Sequence, residues 1–138
     1  MGQPLSGAPG RRRLVLLVED HDDTRQMYAE YLGETLTVVE AADGQVALDL
    51  LRREPPDLLI TDLSLPGLDG FELITRVRQD AGLARLPIIC LSGYGGHAHD
   101  ERAREAGCDR ILQKPCMPDV LAEAAHALLD DESRRRPD

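Results

Sequence analysis

Four short apolar runs each deliver the chain to a polar, chemically active residue. Leu14-Val15-Leu16-Leu17-Val18 ends in Glu19-Asp20, and Leu58-Leu59-Ile60-Thr61 ends in Asp62. Pro87-Ile88-Ile89-Cys90-Leu91 ends in Ser92, and Ile111-Leu112-Gln113 leads into Lys114-Pro115. The runs are continuous rather than alternating, as in strands covered on both faces. Longer amphipathic stretches separate them. Strand alternating with helix predicts a parallel α/β sheet, doubly wound, with helices on two faces. All four polar features then share the carboxyl edge, where open α/β sheets place their sites.

The expected elements follow from periodicity and punctuation. The first strand is predicted at 14–18, and the first helix at 22–33 with Met27, Tyr31 and Leu32 recurring on one face. A β-branched run predicts a second strand at 36–39. The second helix starts near Asp43, a good cap residue, and is expected to bury Val46, Ala47, Leu50 and Leu51 until Pro55-Pro56 stops it. A third strand at 57–61 and a helix from Asp69, with Phe71, Ile74 and Val77 inward, come next. A strand at 87–91, a Gly93-Tyr94-Gly95-Gly96 loop, a helix at 98–106 and a strand at 110–113 complete the alternation. The last helix starts at Pro118, which suits a first helical position, and is expected to bury Leu121, Ala124, Ala125 and Leu128.

The 138 residues suffice for one domain with its own core. The expected organisation is a disordered Gly/Pro/Arg-rich lead-in over 1–13, a folded unit over 14–130 and a charged tail over 131–138. Aromatics are only 3 % of the chain, so aliphatic side chains must fill the core. A net charge of −9 argues against direct nucleic-acid binding, which needs clustered cations. The clusters Arg11-Arg12-Arg13 and Arg134-Arg135-Arg136 lie in the tails and read as solvated. No apolar run approaches the roughly 20 residues of a membrane span, and the N-terminus lacks the apolar segment of a secretory signal. Three cysteines without C-x-x-C spacing fit a reducing cytoplasm. His97 and His99 do not share a helix face, so a metal site there is not expected.

Three carboxylates at one sheet edge, Glu19, Asp20 and Asp62, call for a cation. Lys114, the only lysine in the chain, and the hydroxyl of Ser92 suit a phosphoryl group beside it. Singly, these residues have plain readings: a helix cap at Asp20, a turn at Asp62, a loop hydroxyl at Ser92, a solvated charge at Lys114. Jointly those readings require four coincidences at one edge.

In this order the motifs resemble the receiver domain of bacterial two-component response regulators, of the single-domain, chemotaxis-regulator-like kind. The resemblance covers about Leu14 to Leu129. It rests on the acidic pair Glu19-Asp20, on Asp62, on Ser92, on Lys114-Pro115, and on Asp62-Leu63-Ser64-Leu65-Pro66-Gly67-Leu68-Asp69-Gly70, which matches the family's D-x-x-x-P-x-x-x-G loop. The resemblance implies a five-stranded flavodoxin-like fold and phosphorelay signalling. Asp62 would be the phosphoacceptor, loaded from a sensor histidine kinase or a histidine phosphotransfer protein. Mg²⁺ would be held by Asp20 and Asp62, by the Ser64 carbonyl, and by Glu19 through water. Ser92 and Lys114 would contact the phosphoryl group. It further implies a cis Lys114–Pro115 bond, a signalling switch that assists its own phosphotransfer and dephosphorylation, and an unknown protein target docking on the face of the fourth helix, fifth strand and fifth helix. The chain would be cytoplasmic, either stand-alone or cut from a hybrid kinase.

Three departures stand out. Ile111 occupies the place of the family's usual switch aromatic, three residues before the lysine, and offers no ring to rotate. Gly93 stands where Ala is common. Cys116 follows Lys-Pro where an apolar or aromatic residue is common. The fourth helix has only Ala98, Ala103 and Ala106 to bury. Two competing functions remain open at this stage. One is an aspartyl-phosphate phosphohydrolase of the haloacid dehalogenase class, using Asp20-His21-Asp22 as its D-x-D. The other is a phosphate-independent, receiver-like interaction module.

Overall fold

Strand and helix alternate without interruption in the computed structural model, which describes residues 12–93 and 96–135. The elements are β1 (Leu14–Val18), α1 (Asp22–Leu32), β2 (Thr37–Ala41), α2 (Gly44–Arg53), β3 (Leu58–Asp62), α3 (Gly70–Gln79), β4 (Ile88–Ser92), α4 (His97–Ala106), β5 (Arg110–Gln113) and α5 (Pro118–Arg135). All five strands are parallel, in the order β2-β1-β3-β4-β5. This is the doubly wound, flavodoxin-like α/β architecture expected. The order reverses at β1, so the crevice beyond the carboxyl ends of β1 and β3 is the switch point where such sheets place ligands.

Every residue of β3 and β4 is buried, which is why those runs read as continuously apolar. Alternate side chains feed two cores. Leu16, Val18, Leu59, Ile88 and Cys90 pack with α2, α3 and Ala103 of α4 on one face. Val15, Leu17, Leu58, Ile60, Ile89 and Leu91 pack with α1 and α5 on the other.

Some helix faces are rotated from the sequence expectation. On α1, Tyr28 and Leu32 are buried, whereas Met27 and Tyr31 are 43 % and 40 % exposed. Tyr28 wins because its hydroxyl donates to the Cys116 carbonyl at 2.7 Å, so the ring can be buried with its polar tip satisfied. On α2, Leu48 is buried in place of Val46, which is 44 % exposed, and Leu50 is half-buried. On α5, Leu129 is buried more deeply than Leu128. β2 begins at Thr37 rather than Leu36, because the Leu36 N–H closes the α1–β2 turn onto the Leu32 carbonyl.

The tail regions also differ. The Arg12 guanidinium is not simply solvated; it donates to the carbonyls of Gly33, Glu34 and Leu36 in the connection between α1 and β2. α5 continues to Arg135, beyond residue 130. The expected disorder of residues 1–11 lies outside the described residues, as do Arg11, Arg136, Tyr94 and Gly95.

The thin anchorage expected for α4 is present. It buries only Ala103, whereas α3 buries Phe71, Leu73, Ile74 and Val77 besides Gly70. Each large buried side chain is worth about 1.5–3 kcal/mol, so α4 has far less apolar hold than its neighbour.

Candidate functional site

The sheet register assembles the site. Val18 pairs with Thr61, so the next residues, Glu19 and Asp62, emerge side by side. Asp62 pairs with Leu91, which brings Ser92 to the same edge, and Ser92 pairs with Gln113, which delivers Lys114. The Lys114 N–H extends that ladder by donating to the Ser92 carbonyl at 2.8 Å. The Lys114–Pro115 peptide is cis.

The Lys114 ammonium donates to Asp62 Oδ2 at 2.7 Å and to Glu19 Oε1 at 2.8 Å. The other oxygen of each carboxylate is also used: Glu19 Oε2 accepts from the His21 N–H at 3.0 Å, and Asp62 Oδ1 accepts from the Ser64 N–H at 3.0 Å. Glu19 is 1 % exposed, Asp62 is 4 % and Ser92 is fully buried, whereas Asp20 is exposed. Carboxylate oxygens of Glu19, Asp20 and Asp62 lie within 4.8 Å of one another.

Burial alone would lower the Lys114 pKa, but its hydrogen bonds to Asp62 and Glu19 outweigh that and raise it. The lysine is therefore a fixed cation. Burial raises the Glu19 pKa, against the opposing pull of Lys114 and the His21 N–H and with added repulsion from Asp62. Both groups are raised for different reasons: the Lys114 side chain keeps 24 % exposure and its two carboxylate partners prevail, whereas Glu19 is almost fully enclosed and burial prevails. At this spacing two carboxylates repel by about 3 kcal/mol at an effective dielectric of ~20. One ammonium reaches only two of the three carboxylates, so a site with hard oxygen donors and uncompensated negative charge remains. That donor set suits a hard divalent cation.

The loop after β3 is held by close packing. The Gly70 N–H donates to the Leu63 carbonyl at 3.0 Å. A Cβ on Gly70 would collide with the Asp62 carbonyl oxygen and lie 2.6 Å from Leu63 Cα, so only glycine lets α3 start so near Asp62. Gly67 turns the loop with φ +71°, and Asp69 caps α3 by accepting from the Glu72 N–H.

The site holds residues that the sequence did not single out. His21, not Asp20, caps α1, its ring accepting from the Thr24 N–H. Arg25 donates to the Glu19 carbonyl at 2.9 Å and pairs with Glu40 and Asp22, fixing the turn that carries the acidic pair. The i,i+3 spacing of Asp22 and Arg25 was the available signal. Tyr28 ties α1 to the segment just after Lys114-Pro115. The Asp22 side chain is 74 % exposed and paired with Arg25, so Asp20-His21-Asp22 does not present two carboxylates to one centre. The phosphohydrolase reading is not favoured. No described helix is long and apolar enough to cross a membrane.

Comparison with known proteins agrees with this geometry. The family model for the response regulator receiver domain matches residues 15–126. The chain is 36 % identical over 133 residues to a gliding motility regulatory protein of Myxococcus xanthus, covering 93 % of this chain but only 17 % of that much longer protein. It is 27 % identical over 118 residues to the polar-differentiation response regulator DivK of Brucella ovis, covering 85 % of this chain and 96 % of that one. Among solved structures, chemotaxis protein CheY4 of Vibrio cholerae superimposes with a TM-score of 0.81 at 28 % identity, covering 86 % of this chain and 99 % of that one. Receiver domains are switches in phosphorelay signalling. With the fold, the edge constellation and these likenesses in agreement, the chain belongs to the response regulator receiver domain family.

Proposed function

We propose that Asp62 accepts a phosphoryl group from a phosphohistidine of a sensor histidine kinase or histidine phosphotransfer protein. The observation that carries this reading is the buried Asp62 carboxylate, gripped at 2.7 Å by the only lysine within a cluster of three acidic side chains. In the reaction, a carboxylate oxygen of Asp62 attacks phosphorus. The P–N bond breaks, its electron pair returns to the imidazole nitrogen, and an acyl phosphate P–O bond forms. Attack by water on that phosphorus later releases inorganic phosphate and restores the carboxylate.

Mg²⁺ fits the donor set. Asp20, Asp62 and the Ser64 carbonyl would hold it directly, and Glu19 would act through water. When bound, it neutralises the carboxylates and the incoming phosphoryl oxygens. Lys114 supplies a positive charge to the phosphoryl oxygens and Ser92 a hydroxyl. Catalysis of this kind is mainly positioning and charge stabilisation.

Residues 14–130 constitute the receiver unit in this reading, flanked by 1–13 and by 131–138, of which 131–135 extend α5. It works in the cytoplasm as a switch rather than as a dedicated enzyme. Its downstream target is a protein that reads the α4–β5–α5 face, and neither nucleic acid nor membrane is a direct partner. Beryllofluoride, an acyl-phosphate mimic, tests the reading. In the presence of Mg²⁺ it raises the thermal midpoint of the parent chain and leaves Asp62→Asn unmoved; equal shifts in both would reject Asp62 as the acceptor.

A further inference from the structure

α4 is held at two places of different kinds. Toward α3, the Phe71 ring meets the His99 ring edge-on with centroids 5.1 Å apart, and the Arg102 guanidinium lies 4.0 Å over the Phe71 centroid. Toward β5, the Gln113 side-chain amide donates to Asp100 in the first turn of α4, at 3.2 and 3.4 Å from its two carboxylate oxygens. Between these contacts α4 buries only Ala103. Ile111 and Gln113, two residues apart, share the face of β5 turned to α4, and Ile111 packs against the core cluster that contains Ala103.

Gln113 is tied directly to the site. It pairs with Ser92 in the sheet, and its successor Lys114 bonds the Ser92 carbonyl through its N–H and Asp62 through its ammonium. A phosphoryl group on Asp62 draws the Ser92 hydroxyl and the Lys114 ammonium toward itself. Gln113 pairs with Ser92 on one side, precedes Lys114 in the chain and reaches Asp100 of α4 through its side chain, so it links the two phosphoryl-contacting residues to α4. The amide contact to Asp100 is long and solvent-exposed, so it yields before the Phe71 contacts do.

We propose that the Gln113–Asp100 contact is a latch that holds α4 against β5 in the unloaded state and releases when Asp62 is loaded, leaving α4 to pivot on its contacts with Phe71. The latch gives this chain a route from site to output face that needs no aromatic at Ile111. It rests on the reading of Asp62 as phosphoacceptor.

The test is amide hydrogen exchange over residues 97–106 in the full chain, with and without Mg²⁺ and beryllofluoride. In the parent chain, loading is expected to speed exchange in α4. Free Gln113→Leu is expected to exchange there about fivefold faster than the free parent, the order expected from one exposed charge-assisted hydrogen bond. Loading should then add less than about twofold, since the latch is already open. Asp100→Asn, which keeps an acceptor, should fall between the two. Exchange in free Gln113→Leu equal to the parent's overturns the latch. If the parent binds no beryllofluoride, the phosphoacceptor reading falls and release on loading falls with it. If it binds and Gln113→Leu still shows the parent's full change in α4, that reading stands and the latch alone falls.

Discussion

Lys114 Nζ lies 2.7 Å from Asp62 Oδ2, although the two residues are 52 positions apart and sit on non-adjacent strands' ends. The same ammonium also holds Glu19 Oε1 at 2.8 Å, so one cation stands against the two buried carboxylates. Lys114→Met removes it. The expected cost without divalent cation is about 2 kcal/mol, below the range for a fully buried pair because Lys114 keeps 24 % side-chain exposure. Mg²⁺ should then stabilise the variant more than the parent, since it meets carboxylates with no competing ammonium. Urea titrations with Mg²⁺ and with chelator check this; equal Mg²⁺ increments in both proteins would show that Lys114 and the cation do not share a role.

Asp20 is the exposed member of the acidic cluster, and the cap of α1 is His21. Asp20→Asn therefore removes repulsion without removing a cap. The apoprotein should melt no lower than the parent, and Mg²⁺ affinity should fall at least about tenfold, since even supporting partners of a metal ligand are worth that much. Glu19→Gln should lose less Mg²⁺ affinity than Asp20→Asn. Thermal melts across a Mg²⁺ titration give the ranking, and a reversed order would place Glu19 in direct contact with the ion.

Burial raises the Tyr28 pKa, its hydroxyl being enclosed and bonded to the Cys116 carbonyl. A raised folded pKa means that the stability from the neutral phenol is complete below the unfolded value near pH 10 and is lost as pH rises through the folded value. Tyr28→Phe lacks both the bond and this titration. It should be about 1 kcal/mol less stable than the parent at pH 8. The gap should shrink from about pH 10 upward. Urea midpoints at stepped pH test the sign; a gap that widens in alkali would contradict it.

Two glycines beside the site should respond in opposite ways. Gly70→Ala would force its new methyl into the backbone of Asp62 and Leu63, and is expected to cost about 2 kcal/mol or more and to slow labelling of Asp62. Among the described residues no atom lies within 4 Å of where a Gly93 Cβ would stand, so Gly93→Ala should stay within about 0.5 kcal/mol of the parent. Chemical denaturation of both variants makes the comparison.

The sheet edge was legible because the apolar runs of β1, β3 and β4 stop at their functional residues and Ile111-Leu112-Gln113 leads into Lys114, so four strand ends in sequence carried the site residues to one place. Helix faces were less legible. Met27, Tyr28, Tyr31 and Leu32 allow more than one inward phase on α1, and the choice of Tyr28 depends on a carbonyl 88 residues away. Val46 and Leu48 pose the same ambiguity on α2. The contacts of Arg25 with Glu40, and of Gln113 with Asp100, join separate elements and have no local sequence signal. Composition did show that α4 had only alanines to bury, but not that Phe71, His99 and Arg102 would supply its hold on α3.

The most direct measurement locates the phosphoryl group. The chain is incubated with a small-molecule phosphodonor and Mg²⁺, and the acid-labile adduct is mapped by mass spectrometry. The account predicts one adduct, on Asp62, absent without Mg²⁺ and absent from Asp62→Asn. An adduct on Asp20, or undiminished labelling of Asp62→Asn, would contradict it.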